Sequence, residues 1–387
     1  MCRTDAIASP PARVSRTIRG SGTRGVGPSG PTSRANRAGD TLMQAEDWLA
    51  RGSRGSVAVL CVASWWVVPL AGADVPVQVG SRYAAQDTLA CGDESSDDAR
   101  QCLAGLSWPP AEFEVWCEEA QRGYGDFLVR FPSPVATGEA ANDLVAMEWY
   151  AVRDRERNLR RVPAVVVVHE SGRNMPVGRM IARGLQALEL HTFLIQLPGY
   201  GVRKSTTATQ AASTFDTLRQ AVADVRRARD AVASLPGVDT AAIGLQGTSL
   251  GGFVTATVAG LDRGYDRVFI LLAGGNLHAV IEQGARDSAV LREKLKAAGI
   301  EGAKLRELTR GIEPLRLAHR IAPQSTWLYS GELDDVVPPA CSQALANAAR
   351  LPATHHIILP VDHYSGIVLL PKILLEIRQG MVQPAGK

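Results

Sequence analysis

Apolar and polar residues alternate in short runs from Tyr124 onward, and longer amphipathic segments separate these runs. Alternation over Asp126–Phe131 and Leu144–Val152 predicts two strands. Apolar residues at three- and four-residue steps across Phe215–Leu235 predict an amphipathic helix, which Pro236-Gly237 ends. This part of the chain therefore combines strands with helices.

Continuous apolar runs predict strands that are buried on both faces, and the valine-rich run Ala164–Val168 is the clearest of them. Further strands are predicted at Thr192–Gln196, Ala241–Gln246, Val268–Ala273, Ser325–Ser330 and His356–Leu359, with helices at Met180–Leu188 and Phe253–Gly260. Strands that alternate with helices indicate an α/β fold with a mostly parallel central sheet flanked by helices.

The first 73 residues do not have the pattern of a folded domain. Residues 1–42 are rich in Arg, Ser, Gly and Pro, and contain too few apolar residues to offset the entropy of ordering. Residues 43–73 have the pattern of a signal peptide, with Met43, Arg51, Arg54, the apolar run Val57–Leu70 and Ala71-Gly72-Ala73. We therefore expect Met43 to be the initiator, cleavage after Ala73, and a secreted or periplasmic product.

A buried core helix and a membrane anchor are the alternatives for the apolar run Val57–Leu70. The run has 14 residues, whereas a helix that crosses a bilayer needs roughly 20. The flanking basic and small residues also fit export better than a core helix. Cleavage would leave no stable membrane span.

Charge separates this leader from the rest of the chain. The whole sequence has a formal net charge of +3, yet residues 1–73 alone contain nine Arg, no Lys and four acidic residues. The remainder is slightly acidic and has no basic run with interleaved aromatic residues, so nothing predicts nucleic-acid binding. It also has no P-loop, dinucleotide fingerprint or H-E-x-x-H motif, so neither a cofactor nor a metal is predicted.

Export changes how the cysteines are interpreted, because an oxidising compartment favours disulfides. Cleavage would leave Cys91, Cys102, Cys117 and Cys341. We predict a Cys91–Cys102 bond across a short acidic loop and a Cys117–Cys341 bond, with four free thiols as the alternative. Residues 74–112 are predicted to be loop-like, within an N-terminal extension over 74–123.

The main chemical motif is Gly247-Thr248-Ser249-Leu250-Gly251-Gly252, which lies between a predicted strand and a predicted helix. In this context G-x-S-x-G predicts a sharp turn that exposes a nucleophilic serine, here Ser249. A side chain at 247 or 251 would collide with the turn, and the following helix would direct its N–H groups at a developing oxyanion. An ordinary glycine-rich turn is the alternative.

A serine hydroxyl needs a base, and the base needs a group that orients it. After Ser249 the chain carries Asp334, which follows a predicted strand, and His363, which follows the last one. Both are expected at the carboxyl ends of parallel strands, where open α/β sheets hold their sites. Asp335 is the competing acid. The remaining histidines are expected to be surface or core residues: His169, His191, His278, His319, His355 and His356.

From about Tyr124 to about Ile377 the sequence resembles the α/β-hydrolase superfamily, and it is most similar to the dienelactone-hydrolase-like and secreted esterase branch. The resemblance is carried by His169-Glu170-Ser171-Gly172, Leu197-Pro198-Gly199-Tyr200-Gly201, Gly247–Gly252, Gly331-Glu332-Leu333-Asp334 and Asp362-His363. It implies the α/β-hydrolase fold over 124–387 and an oxyanion hole made by the backbone N–H groups of Ser171 and Leu250. Glu170, Tyr200 and Tyr364 are the candidate substrate-binding residues.

The segment 277–320 is longer than an ordinary connection between two elements, and it contains helical patterns such as Val290–Leu295. In the fold that the sequence resembles, an insertion at this place is commonly a helical lid over the acyl pocket. A crossover helix followed by a long loop is the alternative.

Together these features predict a secreted serine hydrolase that cleaves a carboxylic ester or related acyl compound through an acyl-enzyme. A serine peptidase or an acyltransferase of the same fold is one alternative, and a non-catalytic binding protein of that fold is another. The expected partner is a small-molecule ester or acyl substrate. Substrate chain length and oligomeric state stay open.

Overall fold

The computed structural model describes residues 77–204 and 214–382 of the 387-residue chain. The predicted lead-in over 1–42 and the predicted signal peptide over 43–73, with its cleavage site, lie outside the described residues. Within the described part, ten strands form one sheet that helices flank.

The strands confirm the runs that the hydrophobic pattern predicts between residues 126 and 359. Their bounds are Arg82–Gln86 (β1), Glu112–Glu119 (β2), Phe127–Pro132 (β3), Leu144–Tyr150 (β4), Val162–Val168 (β5), His191–Gln196 (β6), Val238–Thr248 (β7), Arg267–Leu271 (β8), Thr326–Gly331 (β9) and His356–Leu359 (β10). They lie in the order β1-β2-β3-β4-β6-β5-β7-β8-β9-β10. The first five strands in this order, β1, β2, β3, β4 and β6, pair with one another in antiparallel fashion. The strands from β6 through β5, β7, β8 and β9 to β10 pair in parallel fashion.

Helices connect the parallel strands and cover both faces of the sheet. Their bounds are Asp97–Ala104 (α1), Ala140–Asp143 (α2), Pro176–Ala187 (α3), Thr214–Ala233 (α4), Leu250–Asp262 (α5), Leu277–Gln283 (α6), Asp287–Ala297 (α7), Gly302–Arg310 (α8), Pro339–Ala348 (α9) and Leu370–Val382 (α10). Among the described residues, none of the helices combines the length and apolarity needed to cross a membrane.

Strand β5 explains why the continuous apolar runs lie at the centre of the sheet. Successive side chains of a strand point to opposite faces. Val166 and Val168 pack into the apolar layer that includes α4 and α5, whereas Val165 and Val167 pack into the layer that includes α3 and α10. Both faces are covered by helices, so the whole valine run is buried and an apolar side chain suits every position.

The expectation that residues 74–112 are loop-like is wrong. This segment contains β1, α1 and the start of β2, and β1 pairs with β2 in antiparallel register. Along β2 the side chains of Phe113, Val115 and Cys117 are buried on one face, while Glu112 and Glu114 are exposed. The alternation that predicts strands elsewhere is therefore also present here, and the extension adds two strands to the same sheet.

Ion pairs order the acidic segment between Cys91 and Cys102. The carboxylate of Asp98 binds the guanidinium groups of Arg310 and Arg316. Glu94 binds Arg320 at 2.9 Å. Segments with many carboxylates can thus be held by charge pairing, without the apolar burial or the disulfide that the sequence interpretation required.

All four cysteines in the described residues are free thiols, so the predicted Cys91–Cys102 and Cys117–Cys341 bonds are wrong for this structure. Cys117 lies in β2, and Cys341 lies in the first turns of α9, which packs beside β9. Seven strand spacings of about 4.8 Å separate β2 from β9, whereas bridged Cα atoms lie within about 7 Å of each other. Burial raises the pKa of the Cys117 thiol to about 12, which keeps it protonated and unreactive.

Candidate active site

Ser249 lies between the end of β7 and the start of α5, in a backbone conformation that L-residues rarely adopt (φ 53°, ψ −115°). Such a conformation persists only where the surrounding structure holds it. A Cβ at Gly247 would collide with Thr255, and a Cβ at Gly251 would collide with the carbonyl of Val168 at the end of β5. The two glycines therefore allow a turn that packs directly against β5 and places Ser249 just beyond the carboxyl end of the central strand β7.

A hydrogen-bonded chain joins Ser249, His363 and Asp334. The Oγ atom of Ser249 lies 2.9 Å from Nε2 of His363, and Nδ1 of His363 lies 2.8 Å from Oδ2 of Asp334. An ionised carboxylate only accepts hydrogen bonds, so Nδ1 carries the proton and Nε2 is left to accept the proton of the serine. This arrangement is the one that activates a serine hydroxyl for nucleophilic attack.

The loops after β9 and β10 hold the acid and the base in place. Oδ1 of Asp334 accepts hydrogen bonds from the N–H groups of Val336 and Val337 at 3.0 and 2.8 Å. His363 lies in a tight turn that the carboxylate of Asp362 closes by accepting two backbone N–H groups. His363 and Asp334 are both buried, so their orientations are fixed without a bound substrate.

Asp335 makes a different set of contacts from its neighbour. Its carboxylate binds Arg286 at 2.9 Å, and its carbonyl accepts the N–H of Ala285 at 2.6 Å. Arg286 also lies 3.8 Å from the carboxylate of Asp362. Asp335 therefore ties the start of α7 to the loop that carries Asp334, whereas Asp334 itself contacts the histidine.

Ser171 and Leu250, the implied oxyanion donors, line the same cavity as Ser249. Leu250 is the first residue of α5, and the first N–H groups of a helix have no carbonyl partner within it and favour negative charge. Ser171 comes three residues after the end of β5. The close approach of Gly251 to Val168 brings these two chain segments together, and the joint binding of one substrate oxygen by the two amides stays a prediction.

His169 orients the backbone before Ser171, a role that the sequence interpretation missed. Its Nε2 accepts the N–H of Leu197 at 3.1 Å, so the ring proton is on Nδ1, which donates to the carbonyl of Glu170 at 2.6 Å. In a trans peptide the carbonyl of residue 170 and the N–H of Ser171 point in opposite directions. The bond therefore turns the Ser171 N–H away from the His169 ring. Burial lowers the pKa of His169 to about 4, which keeps the ring neutral.

The three candidate substrate-binding side chains all line the cavity, but they are not equally available. The carboxylate of Glu170 accepts two N–H groups from the first turn of α3 at 3.1 and 3.0 Å, so it acts as a helix cap. The hydroxyl of Tyr200 donates to the carbonyl of Ser171 at 3.2 Å. Tyr364 is the most exposed of the three, packs edge-on against His363 with ring centroids 5.5 Å apart, and has the Arg286 guanidinium 5.1 Å from its ring.

A cavity of about 910 Å³ extends from Ser249. Residues 277–310, which comprise α6, α7 and α8 and which we call the cap, supply much of one wall, and α4 supplies another. The Oγ atom of Ser288 donates to the carbonyl of Val336 at 2.9 Å, so the cap is bonded to the loop of the acid. The helices confirm the helical pattern of this segment, and movement of the cap as a lid stays a prediction. Among the described residues, no cluster of three or more His, Cys, Asp or Glu side chains could hold a metal ion.

Comparisons with known proteins bear on the architecture. No family model matches the sequence, and no curated protein matches it. Among solved structures, the chain is similar to acetyl xylan esterase 1 from Thermoanaerobacterium sp. JW/SL YS485, with 16% identity, a TM-score of 0.50, and coverage of 76% of this chain and 96% of that one. It is also similar to an acetyl xylan esterase from Paenibacillus sp. R4, with 14% identity, a TM-score of 0.53 and the same coverage. Identities this low show a shared fold and leave the substrate open.

Paired substitutions separate the roles of the two adjacent aspartates. Asp334→Asn should lower kcat by about 10⁴, because an amide at this position favours the wrong tautomer of His363. Asp335→Asn removes only a half-exposed ion pair with Arg286, so we expect a loss of at most about 1 kcal/mol in the free energy of unfolding. Steady-state kinetics on a p-nitrophenyl ester, with thermal unfolding of both variants, measure the two effects. A large loss of kcat in Asp335→Asn alone would move the orienting role to Asp335.

Proposed function

Because the chain has the α/β-hydrolase fold, we propose that it is a serine hydrolase that cleaves a carboxylic ester or a related acyl compound. The observation that carries the proposal is the hydrogen-bonded chain from Ser249 through His363 to Asp334. The fold itself does not require a strained serine, a histidine of defined tautomer and a buried carboxylate in one hydrogen-bonded chain. Acyl transfer does require these three groups together.

Acylation follows from the geometry of the three side chains. Ser249 attacks the acyl carbon while Nε2 of His363 takes its proton, and Asp334 stabilises the imidazolium that forms. The carbonyl oxygen becomes an oxyanion that the N–H groups of Ser171 and Leu250 bind, supported by the N-terminal end of α5. His363 then returns the proton to the leaving alcohol, and the acyl group stays on the serine.

Deacylation repeats these steps with water in place of the serine. His363 removes a proton from the water, the hydroxide attacks the acyl-enzyme, and Ser249 leaves with the proton. Water is the acceptor that makes the reaction a hydrolysis. An acyltransferase would use another alcohol or amine at the same step, and a peptidase would release an amine in the first step.

An ester is favoured over a peptide because the cavity is lined mainly by apolar side chains. A peptide substrate presents N–H and C=O groups on both sides of the scissile bond, and these need partners when they are buried. A non-catalytic binding protein is disfavoured because the Ser249–His363–Asp334 chain is complete. The two solved structures that share the fold are named as acetyl xylan esterases. For this chain we propose the broader class of carboxylic esters.

Export is proposed from the sequence pattern of residues 43–73. The pattern has basic residues at Arg51 and Arg54, an apolar run, and small residues before Asp74. Amino-terminal sequencing of the protein purified from its native source should read from Asp74. Recovery of the uncleaved leader on protein from a soluble cytoplasmic fraction would contradict export.

Substitution of the nucleophile tests the proposed reaction. Ser249→Ala should lower kcat by about 10⁶, because the step that forms the acyl-enzyme is lost. Ser171→Ala is the matched control, since it removes a serine side chain from the same cavity but keeps the backbone N–H that binds the oxyanion. The measurement is hydrolysis of p-nitrophenyl acetate, with circular dichroism to show that both variants are folded. Turnover near the wild-type value in Ser249→Ala would remove Ser249 from the mechanism.

A further inference from the structure

The size of the cavity exceeds what a small acyl group needs. Its volume of about 910 Å³ lies near the upper end of the range of about 300–1,000 Å³ for small-molecule sites. An acetyl group would leave most of this space to water. Because Ser249 and His363 both line the cavity, the space is connected to the atoms that would react.

The walls of this cavity are apolar. Phe215, Leu218 and Val222 face it from α4, and the cap faces it with apolar side chains of its own, among them Ile281, Leu291 and Leu295. Such walls favour a substrate group that gains by leaving water and needs no polar partner. An aliphatic or aryl-alkyl chain has that property.

Polar groups that line the cavity already have partners or lie at its exposed side. The hydroxyl of Thr257 donates to the carbonyl of Phe253 at 3.0 Å, and that of Thr309 donates to the carbonyl of Leu305 at 2.9 Å. The carboxylate of Glu170 is used by the first turn of α3. Asp287 and Lys294, the charged side chains that α7 contributes, are exposed. A charged substrate group placed against the inner walls would lose its hydration and find no polar partner to replace it.

We propose that the preferred substrate is an ester of a neutral, apolar acyl group of medium to long chain length. The chain lies between α4 and the cap, with its carbonyl at Ser249. This inference rests on the proposed hydrolase function and adds the substrate class to it. The cap thus selects substrates by the length and neutrality of the acyl chain.

A series of p-nitrophenyl esters from acetate to dodecanoate tests the inference, each used below its critical micelle concentration. Each methylene that the cavity buries should raise kcat/KM by up to about fourfold, so octanoate should exceed acetate by about a hundredfold or more. A p-nitrophenyl ester whose eight-carbon acyl chain ends in a carboxylate tests whether the cavity prefers an uncharged chain. Its kcat/KM should fall well below that of the octanoate ester.

Two tryptophan variants on the same helix test where the chain lies. Leu291 lines the cavity from α7 and is half-buried, so Leu291→Trp should fill part of the space and lower the ratio of octanoate to acetate kcat/KM by about tenfold or more. Glu293 is exposed and lies two residues along α7, so its side chain points to another face of the helix. Glu293→Trp should therefore keep the wild-type ratio.

The outcomes separate this inference from the proposed function. Hydrolysis of acetate with a flat or falling chain-length series would overturn the inference and leave the hydrolase function intact. Equal chain-length ratios in Leu291→Trp and in the wild type would also overturn it. Absence of hydrolysis for every ester, by a folded wild-type protein, would contradict the proposed function and the inference together.

Discussion

The whole site depends on one close approach, between the turn at Ser249 and the carboxyl end of β5. Gly251 packs so tightly against the carbonyl of Val168 that a Cβ has no room. The strained backbone of Ser249, at φ 53°, stores energy on the order of 1–3 kcal/mol, which the packing of β5, β7 and α5 must offset. The same contact brings the N-terminus of α5 beside the segment that leads to Ser171, so the proposed nucleophile and the proposed oxyanion donors share one structural cause.

Buried charge pairs support the wall of the cavity from behind. Arg203 binds Asp224 at 2.6 Å, and Arg226 binds Asp262 at 2.7 Å, with all four side chains withdrawn from solvent. Arg227, also on α4, binds Asp87 just after β1. Removal of one member of such a pair leaves an uncompensated buried charge, which is strongly destabilising. The N-terminal extension is therefore part of the support of α4, and α4 forms one side of the proposed acyl cavity.

Sequence periodicity was sufficient for the part of the fold that burial determines. Strands such as β5 are apolar along their whole length because helices cover both faces. Ser249, Asp334 and His363 could be predicted as site residues because each follows a predicted strand and because they occur in this order along the chain. In the extension, the alternation along β2 was present in the sequence and was overlooked. The order of the acidic segment before it could not be predicted, because it comes from ion pairs such as Asp98 with Arg316, which join residues more than 200 positions apart. The role of His169 was missed for a similar reason, since a histidine that orients a peptide plane has the same sequence appearance as any core histidine.

The central claim is that Ser249, activated by His363, is the nucleophile. A fluorophosphonate reagent phosphonylates an activated serine far faster than an ordinary one, so the label reports the nucleophile directly. We expect one adduct per chain, mapped by peptide mass spectrometry to Ser249, and its loss in a folded His363→Ala variant. Adduct formation at another residue, or labelling of Ser249 that does not depend on His363, would contradict it.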